Sequence, residues 1–98
     1  MTGLRTLPAN RPIERLVLGL MLLDAAVLAD LRQVIGPEHF TTDRDRRILR
    51  CMYALFDAGQ PVEPFTVATK MFEAGDAGPA DGLISYLVDL DQAGVLHF

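Results

Sequence analysis

The sequence predicts an all-α fold, a compact orthogonal bundle of five to six short helices. Apolar residues recur at intervals of three and four in successive segments, and capping residues, glycine or proline bound each segment. No segment alternates apolar and polar residues as a half-buried strand does, and no internal repeat is visible. Half of the 98 residues are hydrophobic and 22% are charged, which is typical of one small globular core.

The longest apolar segment, Asn10 to Asp24, predicts a central helix. Asn10 is a suitable N-cap, and Pro12 falls in the first turn, where a missing N–H is tolerated. Helical spacing predicts a core-facing stripe of Ile13, Leu16, Val17, Leu20 and Met21, with Leu18 and Leu22 on a second apolar face. Gly19 is about 1 kcal/mol less favourable than alanine within a helix, so we expect a neighbouring backbone to approach it closely.

A second helix is predicted from Ala25 to about Ile35, with Asp24 as its cap. Its apolar residues are Val27, Leu28, Leu31, Val34 and Ile35. Gly36 should end it as the left-handed residue after the last turn, since Pro37 cannot continue a helix. Residues 38–40 then form a short connector with one 3₁₀ turn.

A third helix is predicted from about Asp43 to Ala58, ending at Gly59. Thr42 and Asp45 resemble a capping box, although glutamate or glutamine is the usual partner. The apolar arc of this helix comprises Ile48, Leu49, Met52, Leu55 and Phe56, and the opposite side carries Arg46, Arg47, Arg50 and Asp57.

A proline-rich connector, residues 60–64, precedes a fourth helix from Pro64 or Phe65 to about Glu73. Its predicted inward residues are Phe65, Ala68, Met71 and Phe72. After a turn at residues 75–79, a last helix should run from about Ala80 to Gln92 and end before Gly94. Its predicted buried residues are Leu83, Ile84, Leu87, Val88 and Leu90. The structural core expected from all these patterns includes Leu16, Val17, Gly19, Leu20, Ile48, Met52 and Leu87.

No arrangement of residues predicts a catalytic, metal or cofactor site, so we expect a domain that is not itself an enzyme. The only lysine, Lys70, does not belong to a G-x-x-x-x-G-K-[ST] phosphate-binding loop. His39 and His97 lie in neither an H-E-x-x-H motif nor a cysteine–histidine spacing. The one cysteine, Cys51, fits a small buried hydrophobe in a reducing compartment.

The charge distribution favours a protein partner. A net charge of −4 argues against binding nucleic acid through phosphate contacts alone. The segment Arg44–Arg50 is the exception, because Arg46 and Arg50 lie one helical turn apart. This face is either solvated, with local ion pairs from Asp43 to Arg46 and Arg47, or it contacts an acidic partner or nucleic acid. The apolar run Leu16–Leu23 is too short to span a bilayer, so we expect a cytoplasmic protein without membrane contact.

Short motifs along the chain carry a collective resemblance to one family. They are Pro8-Ala9-Asn10, Glu14, Val17-Leu18-Gly19, Leu22-Leu23-Asp24, Phe40, Arg46, Ile48, Gly59-Gln60-Pro61-Val62, Thr66-Val67, Gly82 and Ser85-Tyr86-Leu87. In this order and spacing, from about Pro8 to Gly94, the chain resembles the N-terminal domain of the bacterial replicative helicase, the DnaB family. Three positions depart from the family pattern: Thr41 and Asp45 stand where the family commonly has tyrosine and histidine, and Pro12 replaces a usual acidic or polar residue.

The resemblance implies a non-catalytic interaction and assembly domain in DNA replication. In the family, this all-α head sits on the collar of a hexamer and receives primase, so the expected partners are primase or a helicase loader and other helicase subunits, with DNA contacted only indirectly. ATP and Mg²⁺ would belong to a separate motor domain. The resemblance matches Tyr86 to a tyrosine near the primase-facing surface. Tyr86, Arg46 and Arg50 are therefore the candidate partner-binding residues.

The expected organisation is a flexible leader over residues 1–9, a head over residues 10–94 and, at residues 95–98, the start of a truncated linker or hairpin. The family head is followed by a helical hairpin, which would begin near Phe98. The chain is then either an excised domain or a stand-alone relative. Two alternative functions remain: a small helical domain that binds nucleic acid directly, and a stand-alone regulator that mimics the helicase head.

Overall fold

The computed structural model describes residues 11–78 and 81–96, and in these ranges the chain is all-α, as predicted. It forms five α-helices and one 3₁₀ turn: α1 (Arg11–Leu23), α2 (Ala25–Leu31), the 3₁₀ turn (Pro37–His39), α3 (Asp43–Asp57), α4 (Pro64–Glu73) and α5 (Leu83–Leu96). None of these helices is long and apolar enough to cross a membrane. The predicted leader, the N-cap Asn10, the helix start at Ala80 and residues 97–98 lie outside the described residues.

Side-chain caps begin two of the helices where the sequence predicts them. The Asp24 carboxylate accepts a hydrogen bond of 2.8 Å from the backbone N–H of Ala26, and Thr42 Oγ1 accepts one of 3.2 Å from the N–H of Asp45. These bonds satisfy amides that a helix leaves without partners in its first turn.

α3 ends at a glycine, as predicted. Gly59 has φ +73°, and its N–H donates to the carbonyl of Phe56 at 3.0 Å. The N–H of Gln60 donates to the carbonyl of Leu55 at 2.9 Å. This pair of bonds is a Schellman motif, which needs a residue in the left-handed region.

Two predicted helix ends are wrong. α2 stops at Leu31, because the next residues form a turn in which the N–H groups of Val34 and Ile35 both donate to the Leu31 carbonyl. Gly36 has φ −122° and is extended, so it begins the 3₁₀ turn instead of ending α2 in the left-handed region. α5 continues past Gln92 to Leu96 and contains Gly94.

The core lies where α1, α3, α4 and α5 meet. Four of the predicted core residues are buried there: Gly19, Ile48, Met52 and Leu87. Val17 is partly buried against the core, whereas Leu16 and Leu20 are only half-buried and lie outside the buried cluster.

The predicted inward stripe of α1 is therefore wrong, because the helix buries the face of Leu18, Met21 and Leu22. A buried polar residue on that face helps to fix the rotation. Glu14 accepts hydrogen bonds from the Thr41 N–H at 2.7 Å and from Thr41 Oγ1 at 2.6 Å. Turning the predicted stripe inward would bury Ile13, which is now 56% exposed, but it would break both hydrogen bonds to Glu14.

Gly19 and Gly94 mark the place where α1 and α5 touch backbone to backbone. A Cβ atom on Gly94 would lie 2.7 Å from the Gly19 carbonyl oxygen, and one on Gly19 would overlap the Leu90 carbonyl oxygen. The close approach predicted at Gly19 is thus confirmed. The role predicted for Gly94, a helix stop, is wrong because Gly94 is a packing residue inside α5.

Three residues predicted to face inward on α4 and α5 are exposed. Phe65 is 70% exposed, because the buried arc of α4 is formed by Val67, Ala68 and Met71 and Phe65 lies outside it. On α5, Ile84 and Val88 are exposed. The buried residues of α5 are Leu83, Tyr86, Leu87, Leu90 and Gly94.

Candidate functional site

Tyr86, the first candidate contact residue, lies at a buried junction of three helices. Its side chain is 9% exposed, and its hydroxyl donates a hydrogen bond of 2.6 Å to Oδ1 of Asp45, which is fully buried on α3. Nη1 of Arg11, at the start of α1, lies 2.7 Å from the other carboxylate oxygen, Oδ2. One carboxylate therefore joins α1, α3 and α5, and both of its oxygens have a donor.

Local helix capping places Asp45 at this junction. As the third residue of α3, it gives its N–H to Thr42 Oγ1, the first half of the predicted capping box. The second half is wrong, because the Asp45 side chain binds Arg11 and Tyr86 and does not reach back to Thr42. Aspartate is shorter than the glutamate of a usual capping box, and the Asp45 side chain points into the bundle instead.

The Tyr86 ring also carries two cations. The guanidinium carbon of Arg44 lies 3.7 Å from the ring centroid and that of Arg15 lies 5.5 Å from it, both within the range of a cation–π interaction. Burial, and then the hydrogen bond to Asp45, raise the pKa of the Tyr86 phenol. The phenol is therefore a neutral donor near neutral pH, which matches the acceptor role of Asp45.

Arg46, the second candidate, donates hydrogen bonds to backbone carbonyl groups and does not pair with a carboxylate. Its Nε donates to the Phe40 carbonyl at 3.0 Å and its Nη2 donates to the Thr41 carbonyl at 3.3 Å. Of the two ion pairs predicted for Asp43, only the one with Arg47 forms, where Nε lies 2.9 Å from Oδ2 of Asp43. Arg47 also donates to the Asp76 carbonyl.

Arg50, the third candidate, is exposed, and its side chain makes no hydrogen bond or ion pair within the part of the chain that the structure describes. It lines a depression of about 270 Å³ between α3 and α4, together with Lys70 and Met71. The structure therefore separates the predicted pair: Arg46 closes the loop before α3, whereas Arg50 faces a groove with a different cation. Tyr86, Arg46 and Arg50 do not form one site.

Two residues, one lining this groove and one lining the depression beside it, were not predicted as contacts. Lys70 adds a positive charge on α4, opposite Arg50 on α3, and Phe65 exposes its aromatic ring on α4. The helical arc of Val67, Ala68 and Met71 could have identified Phe65 as an outward residue. No signal in the sequence pairs Lys70 with Arg50, because they belong to different helices.

Cys51 and the acidic residues form no reactive centre among the described residues. No group of three histidine, cysteine, aspartate or glutamate side chains in residues 11–78 and 81–96 could hold a metal ion. Burial raises the pKa of the Cys51 thiol to about 11. The thiol, whose Sγ lies 3.6 Å from the Val67 carbonyl oxygen, is therefore protonated at neutral pH.

Comparison with known proteins identifies the family. Residues 6–96 match the family model described as the DnaB-like helicase N terminal domain. The chain belongs to this family. Among relatives, it is 32% identical over 86 residues to the replicative DNA helicase DnaB of Geobacillus stearothermophilus, a match that covers 88% of this chain and 19% of the helicase. It is 33% identical over 83 residues to the replicative DNA helicase DnaC of Bacillus subtilis, covering 85% and 18%.

A solved structure shares the fold of this DnaB-like domain. The crystal structure of the N-terminal domain of DnaB helicase from Mycobacterium tuberculosis matches with a TM-score of 0.67 and 22% sequence identity, covering 91% of this chain and 75% of that one. The matched region corresponds to less than a fifth of the two helicases named above. What the chain shares with them is thus their N-terminal domain.

Proposed function

We propose that this DnaB-like domain is a non-catalytic interaction and assembly domain of a replicative helicase, which docks primase or a helicase loader on the collar of the hexamer. The observation that carries the proposal is the match of residues 6–96 to the helicase N-terminal domain family. On this proposal, ATP and Mg²⁺ act in a separate motor domain, other helicase subunits are neighbours in the assembly, and the location is the cytoplasm.

The internal use of the polar groups supports a rigid docking scaffold. The Asp45 carboxylate ties α1, α3 and α5 together, and Arg46 fixes the loop that leads into α3. A rigid surface loses little conformational entropy on binding, which favours affinity and specificity. In this proposal Tyr86 contributes by holding α5 against α3 through its bond to Asp45.

Direct binding of nucleic acid is the weaker alternative. Arg32 pairs with Asp57 at 2.8 Å, and Arg47 pairs with Asp43. Arg44 lies over the Tyr86 ring, and Arg46 binds carbonyl oxygens. Cations committed in this way contribute less to phosphate binding, whose strength follows the number of phosphates neutralised.

The test is a calorimetric titration of the chain with the helicase-binding domain of its cognate primase. We expect saturable binding by the wild-type chain. If none occurs, primase docking does not reside in this domain, and the same titration with the cognate loader then tests the other partner. Failure of both titrations refutes the docking function.

Two variants in the same titration determine what Tyr86 does. Tyr86→Phe keeps the ring and removes the hydroxyl, whereas Tyr86→Ala removes both. Circular dichroism first establishes that each variant is folded. A folded Tyr86→Ala chain that binds as wild type excludes a direct ring contact, while loss of binding by the alanine variant alone assigns that contact to the ring.

A further inference from the structure

A groove on the outer side of α3 and α4 combines cations with an apolar floor. We call it the α3–α4 groove. Arg50 and Ala54 line it from α3, Lys70 and Ala74 line it from α4, and the buried side chain of Met71 lies at its base. Each alanine follows its cation by one helical turn, so short side chains border the depression beside the two charged ones.

A second depression, of about 310 Å³, adjoins the groove on α4. It is lined by Phe65, Thr69 and Lys70, with Leu55 from α3. Lys70 borders both depressions, so they form one continuous surface. With its ring 70% exposed, Phe65 has the accessibility that an aromatic contact residue requires.

Arg50 and Lys70 differ from the other cations that the structure describes. Arg11, Arg32 and Arg47 form ion pairs, Arg46 binds carbonyl oxygens, and Arg15 and Arg44 lie over the Tyr86 ring. Within the described residues, the side chains of Arg50 and Lys70 alone among the lysines and arginines form no hydrogen bond, ion pair or cation–π contact. Two uncompensated cations thus lie beside one groove on a chain whose net charge is −4.

Carboxylates at the rim limit the kind of anion that fits. Asp76 lines the α3–α4 groove and Glu73 lines the adjoining depression. A nucleic-acid backbone would bring a row of phosphates past these carboxylates, and two cations would supply a salt dependence of only about two counterions. One or two carboxylates on a short segment can reach Arg50 and Lys70 without meeting the acidic rim along their whole length. The charges therefore favour an acidic peptide over nucleic acid.

We propose that the α3–α4 groove binds a short acidic segment of a partner protein, with its carboxylates on Arg50 and Lys70 and an apolar side chain against the exposed ring of Phe65. This inference rests on the proposed function, since the segment would belong to the protein that docks on the helicase head. Charge complementarity supplies orientation and the rate of association, and the buried apolar contact supplies most of the affinity.

The test uses the whole 98-residue chain, labelled with nitrogen-15, and a synthetic helical peptide with capped ends. The peptide carries glutamates on either side of two leucines spaced one turn apart. A matched peptide has glutamine in place of every glutamate, and oligothymidylate is the nucleic-acid probe. Amide chemical shifts locate the binding site and give the dissociation constants.

Three groove variants and one control are compared. Arg50→Gln and Lys70→Gln should each weaken binding of the acidic peptide about two- to fivefold, the range for exposed charge pairs. Phe65→Ala should weaken it about fivefold or more, as expected for an aromatic contact residue. Arg32→Gln removes the same single charge from an ion pair that lines neither depression, and it should change affinity less than twofold.

The inference is overturned if no shifts occur around the groove at millimolar peptide, or if the glutamine peptide binds equally well. It is also overturned if the groove variants behave like Arg32→Gln, or if oligothymidylate binds the same residues more tightly. The double variant Arg50→Gln with Lys70→Gln, titrated with the primase domain, separates the two proposals. Undiminished primase binding removes the groove and retains docking. Peptide binding without binding of primase or loader removes docking and retains the groove.

Discussion

The contact between α1 and α5 leads to a sharp prediction at Gly19. Replacing Gly19 with alanine adds a methyl group that would overlap the Leu90 carbonyl oxygen and lie 3.0 Å from the Gly94 nitrogen. Both obstacles are backbone atoms, so no side-chain rotation can relieve the overlap. The two helices must move apart, although alanine by itself favours a helix over glycine by about 1 kcal/mol.

The size of the effect follows from this separation. Overpacking a core costs about 1–3 kcal/mol, and a gap of about 0.5–1 Å forfeits a quarter to a half of each dispersion contact across it. The contacts at risk include those of Leu18 and Leu90, both fully buried. Because both obstacles are backbone atoms, we take the upper part of the overpacking range, about 2–3 kcal/mol. After the gain in helix propensity of about 1 kcal/mol, we expect Gly19→Ala to lower the free energy of unfolding by about 1–2 kcal/mol. For a domain of this size, that corresponds to a fall in Tm of roughly 5–15 °C.

The assay is urea and thermal unfolding followed by circular dichroism. Gly78→Ala is the matched control, because a Cβ there would lie 3.8 Å from its nearest neighbour, an oxygen of Asp81, and should change stability by less than about 0.5 kcal/mol. Gly94→Ala should also destabilise, and the double variant should lose less than the sum of both, since the first methyl already separates the helices. A Gly19→Ala domain as stable as wild type would refute the close-packing argument.

Two further predictions concern buried polar groups. Tyr86→Phe removes the hydroxyl that donates to the buried Asp45 carboxylate and should lower the free energy of unfolding by about 1.5–3 kcal/mol in the same urea assay. Tyr53 donates its hydroxyl to the neutral carbonyl of Ile35 at 2.7 Å, so Tyr53→Phe should lower it by only about 0.5–1.5 kcal/mol. An equal loss in both would contradict a charge-assisted bond at Tyr86. Burial raises the pKa of the Cys51 thiol from 9.0 to about 11. Between these two pH values the thiol ionises in the unfolded chain but stays protonated in the folded one. The stability that the buried thiol contributes is therefore complete below pH 9 and is lost as the pH rises towards 11. Urea titrations at pH 8 to 11 should therefore show that the free energy of unfolding falls by about 2 kcal/mol more in wild type than in Cys51→Ala. Parallel curves for the two chains would show that ionisation of the thiol does not affect stability.

The sequence was sufficient for the fold class and for several helix boundaries because both depend on local signals. Asp24 and Thr42 begin helices through their own side chains, and Gly59 ends one through a backbone conformation that glycine adopts readily. The close approach at Gly19 was also predictable, since a glycine inside a helix requires a compensating contact. The same reasoning missed Gly94, because a glycine near a helix end is equally typical of a stop.

The choice of buried face could not be made from helical periodicity alone. α1 is apolar on two sides, and the hydrogen bonds from Thr41 to Glu14 bury the side that the sequence does not favour. Helical spacing on α3 placed both Arg46 and Arg47 within reach of Asp43, but only Arg47 forms the pair. The bond from Tyr86 to Asp45 joins residues 41 positions apart, so no local pattern could indicate it.

Two of the positions that depart from the family pattern, Thr41 and Asp45, take part in this buried network. Thr41 donates to Glu14, and Asp45 accepts from Tyr86, which the sequence predicts as a partner-binding residue. The hydroxyl of Tyr86 is therefore committed inside the domain, while Arg44 lies over its ring. A partner that relied on that hydroxyl would first have to break a hydrogen bond to a buried carboxylate, which is unfavourable. Recognition through the free charges of the α3–α4 groove requires no such loss, and for this reason we expect charge changes at Arg50 to affect partner binding more than removal of the Tyr86 hydroxyl.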